Sequence, residues 1–335
     1  MRLDGLSGVI KRNWLVILVI LSVSAAVAYN YYSLVDRPNL DSRIELHNSI
    51  LNGTAPSPYR HRILVPIAVE PIILMISQFT SYSLSFLIAY ALYDFLGIAC
   101  ILIALYAYLR LWFPKYPSLV GVLFVAATMT VALRDHYFQP WSLLETALFT
   151  ISLLLIFRRK HALLGITVVL AALNRETAIM IPLAYLLMNI EVERRGNYGD
   201  SIVPWNVRVS RRVLMLFLTY LALCGAILIG IRAFMGDAQS VEAVGELFAT
   251  NVELKSLLKT VVNLSLFMGI FWVAAALGFR QAPAFVRRTV LIVPFYVVPI
   301  VVLGLWFEVR TFMPLYAVLV PLAVAFVASY GKGKS

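Results

Sequence analysis

Long apolar runs alternate with short basic loops along this chain. The runs cover Trp14 to about Tyr31, 85–110, 117–133, 141–157, 213–234, 257–278, 289–307 and 311–329. A membrane-spanning helix needs about 20 apolar residues, because each residue adds about 1.5 Å across a core of about 30 Å. The pattern therefore predicts an all-α, polytopic membrane protein, with 1–335 forming a single transmembrane domain.

The basic loops between the runs predict the orientation. They contain Arg110/Lys115, Arg158-Arg159-Lys160, Arg194-Arg195 through Arg211-Arg212, Arg280 with Arg287-Arg288, and Lys332/Lys334. Cytoplasmic loops are rich in Lys and Arg, so an even number of crossings should separate each pair of basic loops. The sequence thus predicts about ten crossings with both termini in the cytoplasm of a prokaryote and the protein in its plasma membrane.

The apolar run 162–190 is interrupted by Asn174-Arg175-Glu176-Thr177. The even count predicts a broken hairpin whose two arms are each too short to cross, with its charged tip recessed in a polar cavity. The alternative is one continuous helix that buries Arg175 and Glu176 and reverses every later loop.

Two further segments lie on the outer side in this layout. The first outer loop, 32–61, contains a stretch with a capping box, Ser42 to Glu45, which predicts a short interfacial helix ending at Asn52-Gly53. The run 62–79 contains Glu70-Pro71 and is predicted to be an interfacial or re-entrant helix, since a full crossing would put the later basic loops outside.

Composition agrees with a membrane protein. Hydrophobic residues make up 61% of the chain and charged residues 13%, against about 25% charged in a soluble domain. The net charge of +11 comes from topogenic loops, which argues against nucleic acid as a partner. Cys100 and Cys224 lie in apolar runs without metal-ligand neighbours, so no metal site is predicted.

Charged residues also border the runs on the predicted outer side. A charge within hydrocarbon costs about 2.5–3.5 kcal/mol on insertion scales, so such residues indicate a polar cavity or a site. Ordinary alternatives are lipid head-group anchors at 60–62 and local ion pairs in the turns. The candidate phosphate- or sugar-binding residues are Arg60, Arg62, Arg134, Asp135, His136, Arg175, Glu176, Glu308 and Arg310.

Acids in and near the first outer loop are candidates for proton transfer. A carboxylate at the start of the interfacial helix can act as a general base, and Asp41 occupies that place. The alternative role of Asp41 is helix capping. The intramembrane acids Asp94 and Glu145 are expected to pair with Arg134 or Arg175, in which case Asp94 is structural.

The chain contains no Walker loop, HExxH or GxSxG motif, so nucleotide hydrolysis and common metal or serine chemistry lack support. A long acidic first outer loop, PYRHRILVP over Pro58 to Pro66, and the Asn-Arg-Glu-Thr tip resemble the GT-C superfamily of membrane glycosyltransferases. The resemblance covers the helix layout of nearly the whole chain, although few residues carry it.

The resemblance implies an inverting enzyme that transfers a sugar from a polyprenyl-phosphate donor to an acceptor hydroxyl. It implies a first-loop acid as catalytic base, with Asp41 the first choice and Asp36 the second, and arginines that stabilise the leaving phosphate. The partners are then the lipid-linked sugar and membrane lipid; a divalent metal is left open as a cofactor.

Two other functions compete with this one. The first is a transporter or flippase of a lipid-linked or anionic substrate, for which broken helices with charges are also typical. The second is an outer-face acyltransferase or ligase with His136 or His47 as base. The sugar, the acceptor and the oligomeric state are not indicated by the sequence.

Overall fold

The computed structural model describes residues 4–134, 138–194, 205–236 and 244–330. Apart from a two-stranded ribbon, these residues fold into helices. The helices are α1 (Asp4–Tyr31), α2 (Leu40–Leu51), α3 (Leu64–Ile76), α4 (Tyr82–Leu109), α5 (Lys115–Ala132), α6 (Trp141–Phe157), α7 (His161–Asn174), α8 (Met180–Met188), α9 (Arg211–Met235), α10 (Val244–Val252), α11 (Leu254–Met268), α12 (Phe271–Gly278), α13 (Ala284–Thr289), α14 (Val293–Leu303) and α15 (Tyr316–Tyr330).

Short tighter or wider turns connect several of these helices. A π-helical turn, Tyr32–Asp36, and a 3₁₀ turn, Arg37–Asn39, join α1 to α2. Further 3₁₀ turns cover Tyr59–His61, Glu176–Ile179, Val290–Ile292 and Val309–Leu315. Strands β1 (Glu191–Arg194) and β2 (Trp205–Arg208) pair antiparallel between α8 and α9.

Within the described residues, six helices are long and apolar enough to cross a membrane. They are Trp14–Leu51, Tyr82–Leu109, Lys115–Ala132, Arg211–Met235, Ala284–Val302 and Val309–Ser329. The pair α11 and α12, bent by 62°, adds a seventh if it forms one span. The protein is therefore a helical membrane protein with several apolar helices of spanning length; α3, α6, α7 and the segment Glu176–Met188 are shorter.

The segment 62–79 contains a helix that is too short to cross alone. Helix α3 has 13 residues, which rise about 20 Å against a hydrocarbon core of about 30 Å. Val65, Val69 and Ile73 of α3 pack in one cluster with Phe86 and Tyr90 of α4, so α3 lies along the first part of α4.

The capping-box prediction for the first outer loop is wrong. Helix α2 begins at Leu40, before Ser42, and its N-cap Asn39 makes no side-chain cap hydrogen bond. The helical chain instead continues from α1 through the two short turns, so α2 needs no new N-terminus. The predicted end of the helix is confirmed: Leu51 is its last residue, and Gly53 has a φ of 65°.

The segment 162–190 folds into the predicted broken hairpin. Helix α7 ends at Asn174 and Arg175 is extended, with φ −165° and ψ 153°. The Tyr185 ring of α8 lies 5.9 Å from the His161 ring at the start of α7. Tyr220 of α9 contacts the Tyr185 ring and donates a hydrogen bond to the His161 carbonyl. The chain doubles back, so the continuous-helix alternative is wrong.

Side-chain contacts gather several basic connections at one end of the bundle, which we call the basic end. The Trp112 ring contacts both Phe157 and Phe285, with centroid distances of 4.9 and 5.8 Å. Arg288 lies beside Met188 and donates to its carbonyl. The basic loops that follow α4, α6 and α8 and precede α14 are therefore on the same side, as the even count of crossings predicts.

Candidate functional site

The opposite end of the bundle, which we call the polar end, contains the hairpin tip. The Arg62 side chain, which is buried, donates from Nε and Nη2 to Glu176 Oε2 at 3.3 and 3.2 Å. Its guanidinium also lies 5.2 Å from the Trp141 ring, a cation–π distance. Burial lowers the pKa of the Arg62 guanidinium, and the Glu176 carboxylate acts in the opposite direction.

A second ion pair in the hairpin tip is centred on Glu145 of α6. Its carboxylate accepts hydrogen bonds from Arg175 Nη1 at 2.7 Å, Thr177 Oγ1 at 2.5 Å and the Tyr296 hydroxyl at 2.6 Å. The carboxylate thus joins α6, the hairpin tip and α14. Because Glu145 is 8% exposed, these bonds form in a poorly solvated place and hold the broken segment together.

The predicted pairing of the intramembrane acids is confirmed for Glu145 with Arg175. Asp94, buried in α4, lies instead within electrostatic range of Arg43. The sequence alone does not single out Arg43, because a lone arginine in a short interfacial helix is ordinary.

Arg43 is the centre of a third charged cluster. It forms an ion pair with Asp36 and donates from Nη2 to the Tyr31 hydroxyl at 3.0 Å. Both acids near it and Arg43 itself are 2% exposed. The rings of Phe138 and Trp141 lie 6.3 Å apart, with Arg43 over the first and Arg62 over the second, so an aromatic pair separates the two arginines.

His47 connects α2 to α3 and α4. Its Nδ1 lies 2.8 Å from the Tyr90 hydroxyl and its Nε2 2.8 Å from Glu70 Oε2. The ring is fully buried and both nitrogens have partners. The observed contacts make His47 a structural anchor for α3, and they give the otherwise isolated Glu70 a partner.

Glu308 and Arg310 form a local ion pair at 3.0 Å, and both side chains are buried. Arg60 donates from Nη1 to the Met235 carbonyl at 3.3 Å, and His61 lies near the Gly236 carbonyl. Four of the predicted phosphate-binding arginines are thus bound by acids or carbonyls of the protein: Arg60, Arg62, Arg175 and Arg310. Asp135 and His136 lie outside the described residues.

A large open cavity is lined by α1, α5 and α11, with a volume of about 890 Å³. Two cations, Arg134 and Lys259, and two amides, Asn30 and Asn263, lie in its wall. The rest of the lining is the Tyr31 and Thr130 side chains and the apolar residues Val27, Leu34, Val35, Val131, Leu133, Val262 and Leu266. We call it the cationic cavity; it combines the chemistry of a phosphate site with an apolar wall.

The two candidate bases differ in their surroundings. Asp41 is exposed on α2. Asp36 follows Val35, which lines the cationic cavity, and is almost fully buried. Asp36 Oδ2 has no hydrogen-bond partner among the described residues. A buried carboxylate oxygen without a partner is rare in folded proteins.

In the described part of the chain, no group of three or more His, Cys, Asp or Glu side chains is arranged to hold a metal ion.

Comparison with known proteins gave no match: no protein-family model, no curated protein and no solved structure is similar to this chain. The fold and the polar end define a helical membrane protein with a buried charge network and an open cationic cavity.

Proposed function

We propose that this protein is a membrane glycosyltransferase that moves a sugar from a polyprenyl-phosphate donor to an acceptor hydroxyl. The observation that carries the proposal is the cationic cavity, which offers two cations and hydrogen-bonding amides beside an apolar wall. A polyprenyl-phosphate sugar presents the same three chemistries: an anion, hydroxyl groups and a hydrocarbon chain.

The proposal includes an orientation. If the basic end faces the cytoplasm, the polar end and the cationic cavity lie on the outer side. The hairpin, the bent pair α11–α12 and the shorter α6 then complete about ten crossings with both termini inside. The donor enters the cavity laterally from the bilayer, and the acceptor comes from the aqueous side.

Arg134 and Lys259 bind the donor phosphate in this proposal, and they stabilise the charge that develops on it as it leaves. Both side chains are exposed and line the cavity, Arg134 just after the end of α5 and Lys259 on α11. Asn30 and the Oδ1 of Asn263 bond sugar hydroxyls in this proposal; Asn263 Nδ2 already donates to the Phe307 carbonyl. The apolar residues take the first part of the prenyl chain.

We propose Asp36, the second choice from the sequence, as the base in place of Asp41. A base needs an oxygen that is open to the acceptor and close to the donor. Asp36 follows Val35, which lines the cavity, and its Oδ2 has no partner among the described residues. Because that oxygen is buried, the proposal requires that substrate binding opens a path to it. Asp41 is exposed on α2 and does not line the cavity.

The reaction is a single displacement at the anomeric carbon. Asp36 Oδ2 accepts the acceptor hydroxyl proton while the acceptor oxygen bonds to the anomeric carbon. The bond between that carbon and the phosphate oxygen breaks, and its electron pair stays on the polyprenyl phosphate. One substitution inverts the anomeric configuration.

The experiment reconstitutes the protein in liposomes with polyprenyl-phosphate hexoses and envelope glycan acceptors, and it measures release of polyprenyl phosphate. We expect Asp36→Asn to lower the rate by about 1000-fold, within the range for loss of a general base. The matched variant Asp41→Asn, at the exposed acid of the same outer segment, should stay within about twofold of the wild type. A wild-type protein that releases no polyprenyl phosphate from any hexose donor contradicts the proposal.

The transporter alternative is distinguished by the same preparation. A flippase moves a labelled donor between the leaflets without breaking the bond between sugar and phosphate. Its supporting observation is the broken hairpin with two ion pairs at its tip, an arrangement also typical of transporters. Leaflet exchange without release of polyprenyl phosphate would favour it.

A further inference from the structure

Arg43 is one of the largest fully buried side chains in the structure, with 2% exposure. It lies on the buried face of α2, together with His47 and Ile50. Buried faces of helices are usually apolar. A charge this deeply buried is very costly unless it is paired and hydrogen-bonded. The partners of Arg43 therefore indicate its role.

The contacts of Arg43 fix both the position and the plane of its guanidinium. Asp36 pairs with Nη1 and the Tyr31 hydroxyl accepts from Nη2. The rings of Tyr31 and Phe138 each lie 5.3 Å from Cζ, within cation–π range. The planar group is thus held by two polar partners and two aromatic rings.

Two carboxylates lie near Arg43, and the two oxygens of one of them have different surroundings. Asp36 and Asp94 both lie near Arg43, on the outer segment and on α4. Arg310 acts on the same cluster through Tyr31. One carboxylate oxygen of Asp36 faces Arg43 and the other has no partner among the described residues.

We infer that Arg43 is a positioning residue for the catalytic base Asp36. This inference rests on the proposed glycosyltransferase function. It keeps Asp36 ionised inside a poorly solvated cluster and turns one oxygen away from the donor. The other oxygen, buried and without a partner among the described residues, is the one that takes the acceptor proton once the acceptor reaches it. Arg43 acts through Asp36 and Tyr31, and it touches neither the donor nor the acceptor.

The test compares three variants in the polyprenyl-phosphate release assay with a polyprenyl-phosphate hexose. Arg43→Gln removes the charge. Arg43→Lys keeps the charge but loses the planar guanidinium that bonds Asp36 and Tyr31 through two nitrogens. Arg37→Gln is a control at an exposed arginine nearby. We expect Arg43→Gln to lower kcat by about 100-fold with KM for the donor within about twofold, because only proton transfer suffers. Arg37→Gln should match the wild type.

A pH profile separates positioning from simple loss of packing. A carboxylate without its neighbouring cation holds a proton more tightly, so the acid limb of kcat should move to higher pH in Arg43→Gln. Asp94, Arg310 and the tyrosines Tyr31, Tyr90 and Tyr93 are further titratable or charged groups at this cluster, and they are unchanged in the variant. In Arg43→Lys the limb should return to its wild-type place, with kcat between those of the wild type and Arg43→Gln.

The outcomes separate the inference from the proposed function. A wild-type kcat in either Arg43→Gln or Arg43→Lys overturns the inference while the transferase proposal stands. If Arg43→Gln fails to fold, the kcat of Arg43→Lys decides the matter alone. A wild-type protein that releases no polyprenyl phosphate removes the proposed function itself.

Discussion

The polar end contains two kinds of cation. Arg62, Arg175 and Arg310 are enclosed and each is bound by a carboxylate: Glu176, Glu145 and Glu308 respectively. Arg134 and Lys259 are exposed and line a cavity of about 890 Å³. A phosphate reaching the enclosed arginines has to displace an existing carboxylate. In the cavity it meets two exposed cations, of which Lys259 lies 4.0 Å from the centre of the Phe307 ring.

The comparison distinguishes two roles for charged side chains at the polar end: stabilising the fold and binding a ligand. Enclosed pairs fix broken backbone, because removing either partner leaves an uncompensated buried charge. Exposed cations beside an apolar wall cost little to solvate, and in the proposed function they bind a ligand. Assigning a residue to one use or the other depends on its partners.

The largest expected effect is on stability, from breaking the Glu145 network. Glu145→Ala removes the acceptor of three hydrogen bonds and leaves Arg175 buried without its acid. We expect the free energy of unfolding to fall by about 3–5 kcal/mol, measured by equilibrium unfolding in mixed micelles.

The matched control is Glu253→Ala, at an exposed acid that precedes α11. It should change the free energy of unfolding by less than about 0.5 kcal/mol. Equal effects of the two variants would remove the distinction between enclosed and exposed charges.

The next effect is on donor binding, from removing both cavity cations. Arg134→Ala combined with Lys259→Ala should raise KM for a polyprenyl-phosphate hexose by about 30-fold, or about 2 kcal/mol. The free energy of unfolding should change by less than about 1 kcal/mol, since both side chains are exposed.

Lys255→Ala is the control for this pair, since Lys255 is an exposed lysine one turn earlier on α11 that does not line the cavity. An unchanged KM in the double variant would return the phosphate site to the enclosed arginines.

The smallest effect on stability is expected from breaking the ion pair between Arg62 and Glu176. The Glu176 side chain is 29% exposed, against 9% for Glu145, so water partly replaces the partner that is lost. Glu176→Gln should lower the free energy of unfolding by about 1 kcal/mol, with Glu45→Gln on the exposed face of α2 as the control. A loss as large as that of Glu145→Ala would show that burial does not set the order.

Much of the fold follows from the sequence. The apolar runs predict the long helices, and the Asn-Arg-Glu-Thr interruption predicts the broken hairpin, because a charged break in an apolar run leaves backbone groups that need partners. The predicted start of α2 at the Ser42 capping box is wrong, because the chain continues in helical turns from α1 and α2 already begins at Leu40.

The candidate site was only partly predictable. Sequence position places Arg62, Arg134 and Arg310 alike at helix ends, and only packing distinguishes an ion pair from a cavity wall. Arg43 and Glu70 were missed because their partners, Asp36 and His47, lie on other turns or helices. Lys259 carries no local signal, since one lysine in an amphipathic helix is ordinary.

The most direct test of the account is the location of the phosphate in a bound complex. Electron cryo-microscopy of the protein in nanodiscs with a polyprenyl monophosphate should show the phosphate within hydrogen-bond distance of Arg134 and Lys259, with the Arg62–Glu176 and Arg175–Glu145 pairs intact. A phosphate bound by Arg62 or Arg175, with its carboxylate displaced, would contradict the account.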